Sequence, residues 1–123
     1  SFKLLDKDVA VMATSEYSLE FEKGGVKNRL TEYSISTPGP SQASKNNFKL
    51  AGKQGHKLYA KIQIACSWEC ACVPYVPVFD LTYKHVKNLD KLGIKNFLLT
   101  WTLGGYPSPS LDMISSVSSG IMA

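Results

Sequence analysis

A chain of 123 residues, 44% of them hydrophobic and 20% charged, is long enough for one ordinary core, and 11% aromatic content excludes a disordered composition. The net charge of +4 comes mostly from lysines spread along the chain, with Arg29 the single arginine, whereas a nucleic-acid binder more often clusters its cations on one element. No stretch reaches the roughly 18 apolar residues that a membrane span needs, and three cysteines crowded into residues 66–72 do not suggest a secreted disulfide framework. The expectations are therefore no nucleic-acid partner, no membrane partner and a reducing, cytoplasmic setting.

The first β-type run is DVAVMA, residues 8–13. The polar segment after it, residues 14–37, has no sustained period and is broken by Gly24-Gly25. Pro38 and Pro40 suit the start of a helix but not its interior. Ser41 is a plausible N-cap and Gly55 a natural stop, so a helix is predicted over residues 41–54. In residues 57–65, Leu58, Ala60, Ile62 and Ile64 alternate with Tyr59, Lys61 and Gln63, which is the period of a strand. A loop closed by Pro74 and Pro77 follows. Val78, Leu81, His85, Val86, Leu89 and Leu92 then recur at helical spacings until Gly93, predicting a helix over residues 78–93. Residues 94–101, IKNFLLTW, read as a third strand whose Phe-Leu-Leu run implies burial on both faces. A last helix is expected over residues 111–117.

Strand and helix alternate in regular order, which argues an α/β fold of three parallel strands alternating with helices. Residues 1–123 form a single incomplete unit on this reading. The start lacks a basic leader, a cleavage site and an initiator Met, and the far end stops on apolar residues, so both ends look cut from something longer.

Parallel α/β folds build their sites from the loops at the carboxyl ends of the strands, and here those loops carry nearly all the unusual residues. Glu16 follows the first strand and Glu69 the second. Two carboxylates at one rim, each open to desolvation, suit general acid/base or nucleophilic chemistry. Either one alone reads first as an ordinary loop acid or a helix cap; it is the pair at matching positions that argues for a site. Tyr17, Trp68, Tyr75, Trp101 and Tyr106 gather at the same end. Flat rings with a polar handle stack on sugars, although they also fill cores. Gly104-Gly105 would let backbone approach a ligand closely, or form a rigid turn.

Cys66, Cys70 and Cys72 are spaced C-x3-C-x-C, a departure from the C-x2-C pairs of zinc sites. They read first as small buried thiols, with thiol or metal chemistry as the rival. No metal or other cofactor is expected, and neither dinucleotide nor phosphate-loop glycine motifs occur. His56 and His85 read as structural histidines, and no serine lies in a G-x-S-x-G elbow that would recruit one into a triad.

The run IQIACSWE, then a helix, then FLLTWTLGGYP resembles the last strands of a (β/α)8 glycoside hydrolase barrel, over about residues 57–109. The resemblance implies that Glu69 ends the seventh strand as a catalytic carboxylate and that Trp101 ends the eighth. The first strand here would then be the sixth, and the chain the last three βα units of a longer barrel. Glu16 would be a second acid, and Trp68, Trp101, Tyr106 and Tyr17 a platform for a carbohydrate substrate. Three strands cannot close an eight-stranded barrel. The remaining barrel segments would come from the rest of the polypeptide or from an oligomer. The alternatives are a carbohydrate-binding barrel domain without catalysis and a cysteine-based metal or thiol protein.

Overall fold

A computed structural model of the chain describes residues 2–32, 34–64, 76–99 and 107–118. After a single 3-10 turn at Phe2–Leu4, the elements run β1 (Val11–Thr14), β2 (Glu20–Lys23), β3 (Val26–Arg29), α1 (Gln42–Lys53), β4 (Leu58–Ile62), α2 (Phe79–Asp90), β5 (Asn96–Leu99) and α3 (Pro109–Ser118). Strands β1, β4 and β5 form one parallel sheet in that order, so β4 is central and the other two lie at its edges. The register sets Val11 beside Leu58, Ala13 beside Ala60, and Ala60 beside Phe97. The molecule is thus mixed α/β, as the alternation of elements implies.

Period-two geometry sends alternate side chains to opposite faces of the sheet. Ala60, Ile62 and Ile64 face one way and join Phe48 of α1, Val86 and Leu89 of α2, Ile94, and Ile114 and Val117 of α3 in one buried cluster. Ala13, Leu58, Phe97 and Leu99 pack against it. The three α-helices among the described residues therefore cover the same side. On the other side Met12, Tyr59 and Asn96 form one row, and Thr14, Lys61 and Leu98 the next. Among the described residues no helix covers this face, and it is partly open: Met12 is 53% and Leu98 44% exposed.

The helices begin and end where local chemistry dictates. The Ser41 side chain accepts a bond from the Ser44 amide at 3.0 Å, satisfying one of the four donors that a helix start leaves over. Gly55 and Gly93 adopt φ of 84° and 75° just past α1 and α2, a region that residues with a Cβ rarely occupy. In α2, Thr82, His85, Val86 and Leu89 form the buried stripe, spaced three, one and three residues apart.

Two expectations need correction. The segment between the first strand and the first helix contains a hairpin, β2 paired antiparallel with β3, whose two turn positions are Gly24 at φ 58° and Gly25 at φ 76°. Positive φ at both central residues is the tight turn that matches strand twist. Its flanking residues are nearly all exposed, so no apolar alternation announces it. The third strand is not buried on both faces: Asn96 and Leu98 are exposed while Phe97 and Leu99 are partly covered. As an edge strand with helices on one side, β5 has apolar cover for only half its side chains.

Candidate functional site

The carboxyl end of β1 is tied down by backbone on both sides. The Ser15 amide donates to the Lys61 carbonyl at 3.0 Å, extending the β1–β4 ladder by one residue. The Ser15 carbonyl accepts from the Ser41 amide at 2.9 Å, and the Ser44 hydroxyl donates to the Thr14 carbonyl at 2.7 Å. The N-terminus of α1 is thereby held against the strand end. A tight turn follows, with the Leu19 amide donating to the Glu16 carbonyl at 2.9 Å and Ser18 at φ 60°, and it leads directly into the hairpin.

Ser15 and Val11 have the same parity along β1, so the Ser15 side chain heads to the helical side. There it meets α2. The His85 Nε2 atom lies 2.6 Å from the Ser15 Oγ, across 70 residues of sequence. The other ring nitrogen, Nδ1, lies 3.5 Å from the Glu16 Oε1. All three residues are buried, Ser15 and Glu16 with 0% exposure. Burial penalises a charged imidazole and pushes His85 down to about 4, so the ring is neutral at pH 7 despite the carboxyl beside it.

One turn further along α2, the Asn88 side-chain amide donates to the Gly39 carbonyl at 2.9 Å. Gly39 itself fits under the pair it faces. A Cβ built there would come within 2.9 Å of the His85 Nε2, 3.0 Å of the Ser15 Oγ and 3.1 Å of the Ser15 carbonyl oxygen. Two of these neighbours are fixed by hydrogen bonds, so the site cannot yield cheaply. Gly39→Ala is expected to destabilise the fold by about 1–3 kcal/mol, the usual range for overpacking. Urea unfolding at pH 7 measures this, and a loss under about 0.5 kcal/mol would contradict the packing described.

Serine, histidine and carboxylate in this order are the groups of a serine nucleophile with its base and orienting acid. Here the hydroxyl has no solvent-exposed surface for an acyl donor to approach. The array instead knits the end of β1 to α2.

Of the residues expected in a site, Glu16 lies two positions past β1 in this buried cluster, and Tyr17 beside it is 54% exposed. Glu69, Trp68, Trp101 and Tyr106 lie outside the described residues, as do Cys66, Cys70, Cys72, Tyr75 and Gly104-Gly105. No protein-family profile, curated protein or solved structure matches this chain. Among the described residues, no group of three or more His, Cys, Asp or Glu is arranged to hold a metal ion, and no helix is long and apolar enough to cross a membrane.

His56 sits at the opposite end of the strands, with Nδ1 2.9 Å from the Val9 carbonyl and Nε2 3.3 Å from the Phe2 carbonyl, a structural role as expected. Sequence reasoning missed the contact between Ser15 and His85. The available signal was a pair of polar residues, one continuing the inward parity of β1 and the other on the apolar stripe of α2. Each needed a buried partner, and each is the other's.

Proposed function

We propose that the chain contributes the last three βα units of a (β/α)8-type barrel in a carbohydrate-active hydrolase. The supporting observation is the parallel course of β1, β4 and β5: the chain leaves all three strands at one end of the sheet. In folds of this kind that end carries the chemistry. The helix-free face, with Met12 and Leu98 exposed, is the side that a completed barrel would enclose. On this reading Glu69 is the nucleophile or base and Glu16 the second acid. Trp68, Trp101, Tyr106 and Tyr17 stack against the sugar. A carboxyl separation of about 5–5.5 Å would give retention of configuration, and about 6.5–9.5 Å inversion.

The test is hydrolysis of a panel of aryl glycosides and oligosaccharides by the chain joined to the remaining barrel segments, and by the same assembly carrying Glu69→Gln. Turnover that disappears in the variant while thermal melting stays within a degree or so supports the assignment. Turnover indifferent to the substitution, or absent throughout the panel, overturns it. The complete burial of Glu16 favours a second reading, a carbohydrate-binding barrel domain without catalysis. Glycan binding with no turnover, insensitive to Glu69→Gln, is its signature.

A further inference from the structure

We propose that the amino-terminal end of the sheet carries a binding groove for a single-chain anionic amphiphile, an acyl tail bearing a carboxylate. The groove lies between the first turn of the chain and the end of α1, at the opposite end of the strands from the rim in the hydrolase reading. It has two compartments. Lys3, Lys7, Lys53 and Gln54 line one, of about 330 Å³. Phe2, Leu5 and Leu50 line the other, of about 500 Å³. Phe2, Lys3, Leu5 and Gln54 border both, so the two are contiguous. Each falls within the roughly 300–1,000 Å³ of ordinary small-molecule sites. Leu5 and Leu50 are 42% and 52% exposed, apolar surface that a bound tail would take out of water.

Charge selects the head group. Three lysines meet in the polar compartment, and among the described residues no acid lines it. Lys7 and Lys53 have no ion-pair partner among the described residues. Asp6, the acid next to Lys7 in sequence, accepts a bond from the Asp8 amide at 3.1 Å. The carbonyls ending α1 would repel an anion, but those of Ala51 and Gly52 are capped by the amides of Gln54, Gly55 and His56. Gln54 is a second, independent sign. Its side-chain oxygen is buried at the junction of the compartments with no hydrogen-bond partner among the described residues. A half-turn of that amide presents N–H there instead, a donor for an anionic head. The His56 ring holds the wall in place through the Val9 carbonyl at 2.9 Å and the Phe2 carbonyl at 3.3 Å. A bare anion would leave the apolar half wet, and a neutral amphiphile would leave the lysines unmatched. Both compartments are concave, which suits one enclosed molecule better than a bilayer surface.

Dodecanoate, kept below its micelle concentration, is titrated into the nitrogen-15-labelled chain at pH 7 and low salt, with binding followed by calorimetry and amide NMR shifts. The expected result is saturable one-to-one binding, with shifts gathered at residues 2–7 and 50–56. Lys7→Gln combined with Lys53→Gln alters exposed side chains only and is expected to weaken binding about tenfold. Leu50→Asn, also at an exposed position, is expected to weaken it several-fold, and octanoate to bind at least about tenfold more weakly than dodecanoate. Equal affinity for dodecyl maltoside, which has the same tail and a neutral head, overturns the role of charge. Equal affinity for acetate overturns the role of the tail. Shifts centred elsewhere, such as at Met12 and Leu98 on the open sheet face, place the ligand outside this groove and overturn the site. Capture by phosphatidylglycerol vesicles without binding of dodecanoate makes the patch a membrane contact and sinks the proposal, as does no binding to either. The groove shares no residue with the proposed hydrolase site, so glycan turnover bears on neither outcome.

Discussion

Lowering the pH from 7 to below 4 is expected to remove about 3 kcal/mol of folding stability through His85 alone. Its pKa is 6.5 when free and about 4 in the folded chain, and each pH unit between them is worth about 1.4 kcal/mol. The direction follows from which state binds the proton first. Above pH 6.5 neither state is protonated at this ring and nothing is lost. As the pH falls below 6.5 the unfolded chain takes up the proton while the buried ring refuses it, so unfolding is favoured. Below about 4 the folded ring is protonated too, and the loss levels off. Carboxylates also titrate near the lower end of this window, so the comparison must isolate the histidine. Urea unfolding of the native chain and of His85→Gln, measured at intervals between pH 7 and pH 4, does so. The variant starts less stable because Ser15 loses its partner, and the gap between the two is expected to close by about 3 kcal/mol as the pH falls. Parallel curves would mean that the ring is either solvated or already charged at neutral pH.

The burial behind that prediction was half legible in the sequence. The apolar stripe of α2 contains His85, so its inward direction could be read, and Gly93 marked where the helix stops. The alternation of Leu58, Ala60, Ile62 and Ile64 was equally readable, because that face of β4 packs on the helices while Tyr59 and Lys61 point the other way. What could not be read depends on contacts between distant elements. Ser15 and His85 are 70 residues apart, and nothing local to either identifies the other. Glu16 lies past the carboxyl end of the first strand as expected, yet it is buried beside His85 of α2, an element far from it in sequence. The hairpin of β2 and β3 escaped for the opposite reason. It is almost wholly solvated, and a strand pair that buries neither face leaves no period-two trace; only Gly24-Gly25 hinted at a turn. Phe97, Leu98 and Leu99 misled because three apolar residues in a row imply two covered faces, and β5 has one.

That open face makes the remaining prediction, a contrast between two leucines. Leu89 is completely buried between α2 and the sheet, so Leu89→Ala is expected to cost about 2–5 kcal/mol in urea unfolding, the loss of buried surface plus the cavity it leaves. Leu98 lies on β5 with 44% of its surface exposed on the helix-free side, and Leu98→Ala in the isolated chain should change stability by no more than about 0.5 kcal/mol. A loss under about 1 kcal/mol for Leu89→Ala would contradict the packing of α2. A loss above about 2 kcal/mol for Leu98→Ala would show that its face is covered in solution, and the dependence of the urea midpoint on protein concentration then names the cover. A midpoint that rises with concentration means a second copy lies against the sheet. If Leu98→Ala is nearly neutral in this chain but costly once additional barrel segments are joined to it, the open face is the inner wall of a larger barrel, as the proposed architecture requires.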